Sequence, residues 1–101
     1  MGTSYQFTCP ACGYSAEVSG GRDVGMDAVV RTMVCSDCRA LVDVLIGRYG
    51  KDGPTGEADY DKRLGACPDC GGRHVVSWKQ GGPCPKCGAT MARGSGATLW
   101  D

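Results

Sequence analysis

The chain has 101 residues, 11 basic and 11 acidic side chains, one His and eight Cys. Leu, Ile, Val and Phe together number only 15. So few cannot offset chain entropy over this length, which excludes a large single-core enzyme and calls for crosslinks or metal. Zero formal charge also argues against a plain disordered chain.

In chain order, Tyr5 to Cys9 reads as a short strand entering a Cys-x-x-Cys knuckle, Cys9–Cys12. Tyr14 to Ser19 alternates apolar and polar residues, as a half-buried strand does, and Gly20-Gly21 breaks it. Met26 to Val34 is expected to return as its antiparallel partner, with a helical turn around Asp27 as the alternative. A second knuckle, Cys35–Cys38, leads into Leu41 to Ile46, the most apolar run and a third strand. From Arg48 to Gly65 the composition turns to Gly and charge, which predicts a flexible linker over 49–65. A third knuckle, Cys67–Cys70, precedes a strand at His74 to Lys79 and a turn at Gly81-Gly82. The fourth, Cys84–Cys87, precedes a short strand at Ala89 to Arg93, after which Gly94-Ser95-Gly96 frees a tail ending in Trp100.

The longest apolar run is far short of a membrane span, and no basic segment precedes an apolar stretch as in a secretory signal. A cytoplasmic, reducing location is therefore expected, where Cys pairs bind metal rather than form disulfides. Four Cys-x-x-Cys pairs are strong evidence for two four-thiolate sites. Gly13, Gly71 and Gly88 follow the second Cys of their pairs and accept positive φ, while Pro10, Pro68 and Pro85 follow the first Cys and preset φ. The second pair has Ser36 and Arg39 instead, which predicts either a looser knuckle or one that uses its side chains differently. Sequential pairing is expected: Cys9, Cys12, Cys35 and Cys38 in one site, Cys67, Cys70, Cys84 and Cys87 in the other. A cross-brace, which would bind both halves into one body, is the alternative.

Tyr5 to Tyr14, with Cys9-Pro10-Ala11-Cys12-Gly13 inside it, resembles the first knuckle of rubredoxin, an iron–sulfur electron carrier. Cys67-Pro-Asp-Cys70-Gly71 with Cys84-Pro-Lys-Cys87-Gly88 resembles a zinc ribbon, and the whole chain resembles the small double-zinc-ribbon proteins of bacteria. The resemblance implies a metal-stabilised all-β fold. It would hold two rubredoxin-like zinc ribbons, each a three-stranded antiparallel sheet with two knuckles. The ribbons would span 1–48 and 66–101, joined by the linker, and hold two Zn2+, with iron in the first site as the alternative. Four thiolates leave zinc no open position, so such sites are structural.

With eight thiolates and two divalent ions the charge becomes about −4, too acidic for a strong phosphate-binding term. Arg73, His74, Trp78 and Lys79 nonetheless cluster on the second ribbon. Trp78 either stacks a nucleic-acid base or covers a small core. Trp100 either folds back as a lid or anchors a partner. Arg22, Asp23 and Met26 lie in a loop, where binding residues often sit. With no nucleophile–base pair visible, the expectation is a non-catalytic adaptor or accessory subunit that binds another protein. The alternatives are nucleic-acid binding through the second ribbon and electron transfer at the first site.

Overall fold

The computed structural model describes residues 2–100. Eight strands and one short helix follow in order: β1 (Gly2–Thr8), β2 (Ser15–Val18), β3 (Arg22–Val24), β4 (Ala28–Cys35), β5 (Ala40–Arg48), β6 (Lys51–Asp52), α1 (Ala58–Asp61), β7 (Val75–Ser77) and β8 (Ala92–Trp100). The protein is a small all-β fold of two antiparallel sheets, as composition and pattern predict. Among the described residues no helix is long and apolar enough to cross a membrane.

The knuckles act as hairpin turns. Cys9–Gly13 closes β1 onto β2, with Thr8 opposite Ser15, and Cys35–Arg39 closes β4 onto β5, with Cys35 opposite Ala40. The strand pairing then departs from expectation. Residues 14–19 do not pair with residues 26–34: β2 pairs with β1, whereas β4 lies between β5 and the shorter β3 and β7. Residues around Asp27 form the β3–β4 turn rather than a helix, closed by Gly25 N–H on Ala28 O at 2.9 Å.

The C-terminal segment is not a free tail. It is a nine-residue strand along β1, with Thr8 opposite Ala92 and Gly2 opposite Trp100. Gly94, Ser95 and Gly96 lie where the register shifts opposite Gln6, so the glycines serve a bulge rather than a break. The first sheet therefore runs β2-β1-β8 and the second β3-β4-β5-β6 with β7 on β4. Each sheet combines strands from the two halves of the sequence. The division into independent ribbons at 1–48 and 66–101 is replaced by interleaving.

Residues 49–65, though mostly exposed, form β6 and α1 and are tied to the sheet at Tyr60, rather than the structureless linker expected. Tyr60 of α1 is buried and donates its hydroxyl to Gly47 O at 2.8 Å. The Arg48 guanidinium stacks on both the Tyr60 and Tyr49 rings, 4.9 and 4.7 Å from their centroids, and pairs with Asp27 and Glu57. Asp61 accepts the backbone N–H groups of Thr55 and Gly56. One tyrosine and one arginine thus hold a segment that its glycines and charges alone would leave loose. Tyr60→Phe should cost about 1 kcal/mol, the net worth of its hydrogen bond. Tyr60→Ala should cost about 3 kcal/mol through lost aromatic packing. Limited proteolysis should then cut the alanine variant between Gly53 and Arg63 and spare the phenylalanine one.

Two apolar clusters form the core. One gathers Phe7, Cys9, Val18, Leu41, Trp78, Cys84 and Met91; the other gathers Cys35, Val42, Val44 and Cys67. The run Leu41 to Ile46, read above as a third strand, is largely interior: Leu41, Val42 and Val44 are buried in β5. Between the sheets, Asp43 accepts from Ser19 N–H at 3.0 Å and from the Ser19 and Thr32 hydroxyls. Burial raises its pKa, and those hydrogen bonds oppose the rise.

Candidate metal centres

In each pair the first cysteine ends a buried path and the second faces outward. Cys9, Cys35, Cys67 and Cys84 are buried, whereas Cys12, Cys70 and Cys87 are exposed and Cys38 is half-buried. The sulfurs converge in two groups, Cys9, Cys12, Cys84 and Cys87, and Cys35, Cys38, Cys67 and Cys70, each with all four ligand atoms within 4.8 Å of one another. The eight residues are those expected, but their pairing is not. The first knuckle joins the fourth and the second joins the third. We call the first group the outer site and the second the inner site, because the inner one lies wholly within the loop that the outer one closes.

Strand pairing dictates this. Antiparallel β1 and β8 put the knuckle after Thr8 beside the knuckle before Ala92. Antiparallel β4 and β7 put Cys35 opposite Val75, just after the third knuckle. Sequential pairing would have to break the β1–β8 and β4–β7 pairings that set these neighbours.

The geometry suits metal and not disulfides. Sulfur–sulfur separations are 3.4 Å for Cys9–Cys87, 3.6 Å for Cys12–Cys84, 3.7 Å for Cys35–Cys70 and 3.9 Å for Cys38–Cys67. A tetrahedron with metal–sulfur bonds of about 2.3 Å has edges of about 3.8 Å, whereas a disulfide is about 2.0 Å long. All eight cysteines are unbridged. The two groups could hold metal ions, in an arrangement consistent with a zinc ribbon.

The four knuckles share one backbone. The N–H of residues 13, 39, 71 and 88 donates to the carbonyl of the first Cys of its pair, each at 2.8 Å. Backbone N–H groups also reach sulfur at 3.4 Å, from Cys38 to Cys35, Gly72 to Cys70 and Lys86 to Cys84. The Cys38 N–H, outweighing burial, holds the Cys35 thiol down to about 7, and the Cys12 N–H does the same for Cys9. Neighbouring thiols, Cys70 foremost, push Cys38 up to about 12. Cys87 also rises to about 12, where Cys9 and burial outweigh the Ala89 N–H. Each cluster thus sets thiols that ionise easily beside thiols that resist charge, a conflict that a divalent cation relieves.

The second knuckle is not looser than the others. Arg39 takes φ +52° where Gly13, Gly71 and Gly88 take +82°, +74° and +83°. Its guanidinium also crosses between sites, donating to Lys86 O at 3.1 Å in the fourth knuckle. A left-handed conformation costs a non-glycine residue about 1 kcal/mol, and the bond to Lys86 is exposed. Arg39→Gly should therefore stabilise the protein by up to about 1 kcal/mol, read as a higher denaturant midpoint with unchanged slope. A lower midpoint would give the bridge to Lys86 the larger weight.

The partner-contact candidates separate. Trp78 is 3% exposed, lies edge-on to Phe7 with ring centroids 5.1 Å apart, and donates its indole N–H to Pro83 O at 2.8 Å. It is a core residue, as the second of its two readings has it, and is not available as a partner contact. Trp100 is neither a free anchor nor a lid on the second ribbon. It lies against Gly2 and donates to Asp23 at 3.1 Å. Arg73 is occupied by the Leu64 and Lys62 carbonyls, at 2.6 and 2.8 Å. His74, paired with Asp37 at 3.0 Å, and Lys79 are exposed. Of the residues expected in a loop, Arg22 and Asp23 lie instead in β3, where Arg22 pairs with Asp52 and Asp23 accepts Thr3 N–H, so both are structural, while Met26 is 72% exposed. Sequence reasoning missed Asp43, Thr32 and Tyr60. Their only signals are a carboxylate inside the most apolar run and an aromatic ring inside a charged one.

No protein-family model, curated protein or solved structure matches the chain.

Proposed function

We propose that the protein is a structural two-zinc module, non-catalytic itself, that serves as an adaptor or accessory subunit for another protein. The observation that supports this reading most is the closure of both clusters. Four thiolates complete a tetrahedron and leave no position for a substrate or a bound water. The metal's work is then to hold strands together, and function passes to the surface they carry. The surface we assign is the rim of β7, where His74, Val76 and Lys79 are exposed together, Val76 by 61%. The burial of Trp78 removes the stacking residue on which nucleic-acid binding depended.

Native mass spectrometry of the protein gently isolated from its own host tests the proposal. Two zinc ions per chain are expected, with a retained protein partner that is lost in the Val76→Asp variant. Iron in the outer site, in a red protein, would replace this reading with electron transfer. Two zincs without any partner would overturn the adaptor role and leave the structural one.

A further inference from the structure

The two metal sites are nested, and the apolar clusters follow them. Residues 21–77 contain the inner site and its cluster around Val42 and Val44. Residues 2–20 and 78–100 supply the outer site with Phe7, Val18, Trp78 and Met91. The outer half therefore consists of two arms, distant in sequence, whose roots are fastened to the inner half at Thr32 and, through Ser19, at Asp43, while Thr3 and Trp100 meet Asp23 near the far ends. Thr32 of β4, wholly buried, accepts Gly20 N–H on its hydroxyl at 2.8 Å and Trp78 N–H on its carbonyl at 2.9 Å. Gln80 N–H then reaches Gly20 O at 3.1 Å, so the arms touch where they leave the inner half. Further out, Leu41 N–H donates to the Tyr14 hydroxyl at 2.9 Å, and Leu41 itself enters the outer cluster.

We propose that this connectivity orders metal loading. The inner site fills first, its filling assembles the roots of the outer site, and the one-metal protein is a defined conformer with the second sheet formed and both arms released. The inference rests on reading both clusters as metal sites. Loop closure sets the first choice. Cys38 and Cys67 are separated by 28 residues, Cys12 and Cys84 by 71. Closing the longer loop in an unfolded chain is about fourfold less favourable. Once the inner half is folded, only about ten loose residues remain between the roots and the outer ligands. Binding of the second metal is then enhanced on the order of tenfold by the same scaling, before Leu41 and Tyr14 add their contacts. The coupling is reciprocal, so the outer metal tightens the inner one by the same factor; the order comes from the difference in loop length. In the one-metal state the Phe7, Trp78 and Met91 surface is uncovered, which makes apolar exposure a reporter of metal supply.

The test is to add one equivalent of zinc to the reduced, metal-free full-length chain, alkylate with iodoacetamide and map the modified thiols in the one-metal species by mass spectrometry. Expected is modification of Cys9, Cys12, Cys84 and Cys87 with protection of Cys35, Cys38, Cys67 and Cys70. Trp78 and Trp100 both lie in the arms, so tryptophan emission should stay that of exposed indole until the second equivalent. Protection of the outer four, equal protection of both sets, or only metal-free and two-metal species would overturn the order while leaving the metal sites intact. A chain that takes up no zinc would remove the metal reading as well. As a second measurement, Cys84→Ser/Cys87→Ser should retain one zinc and slow amide exchange in β4 and β5. Cys67→Ser/Cys70→Ser should bind zinc at the outer site at least tenfold more weakly, and unchanged affinity there would also overturn the proposal.

Discussion

Stripping both metals with a strong chelator at neutral pH should unfold the whole chain, with loss of the β-sheet circular-dichroism signal and of any cooperative thermal transition. Four of the ligands are themselves core residues: Cys9 and Cys84 lie in one apolar cluster, Cys35 and Cys67 in the other. Removing the ion leaves four thiols crowded together in each site, and the 15 Leu, Ile, Val and Phe side chains cannot hold two sheets together without those joints. Acid should act in the same direction. Cys9 and Cys35 have thiols held down to about 7, below the ordinary 9.0. Their contribution to stability is in place above pH 9 and is lost as pH falls through about 7. Cys38 and Cys87, raised to about 12, work against folding in the metal-free chain at high pH, and metal uptake displaces their protons. Metal affinity should therefore fall as pH is lowered, and uptake in weak buffer should release protons. A chelated protein that keeps its sheet signal and its midpoint would show that the clusters are incidental to the fold.

The ligand residues were legible from spacing, because a Cys-x-x-Cys pair fixes its bite within four residues. The partner of each pair was not, because four equivalent knuckles can pair in three ways and spacing does not distinguish them. That choice is made by β8, whose outward side chains from Ala92 to Leu99 are nearly all exposed and carry no amphipathic pattern. Its partner β1 opens Gly2-Thr3-Ser4, equally weak as a strand signal. Pairing of two such strands is set by the converging Cys9, Cys12, Cys84 and Cys87 at one end and by Phe7 and Met91 in the core rather than by local propensity. The β5 strand was legible from its apolar run alone. The order of residues 49–65 was not, since it depends on Arg48 lying between two tyrosine rings, a tertiary arrangement invisible to composition. Arg39 taught the opposite lesson: glycine is preferred after the knuckle's second cysteine, yet the shared hydrogen bonds impose a positive φ on an arginine.

Trp78→Ala should lower stability by about 3–5 kcal/mol, the usual cost of deleting a large buried aromatic ring. That is a substantial share of the 5–15 kcal/mol typical of a whole domain. The indole fills the space between the sheets at the root of the outer arm, and its surroundings leave no slack for collapse. A Cβ on Gly82 would lie 2.7 Å from the indole nitrogen, and one on Gly20 would lie 2.8 Å from the Phe7 ring. Both glycines are thus needed for the close approach of backbone to ring. Trp78→Phe should be milder. It retains a ring against Phe7 and gives up the hydrogen bond to Pro83 O, worth about 1 kcal/mol net, plus part of the packing. Urea denaturation of the metal-loaded proteins, read by circular dichroism, would measure all three. Surface aromatic residues behave differently on deletion, changing stability by less than about 0.5 kcal/mol. A Trp78→Ala protein as stable as the parent, but with weakened retention on single-stranded DNA, would return Trp78 to the surface and restore the nucleic-acid reading that its burial now removes.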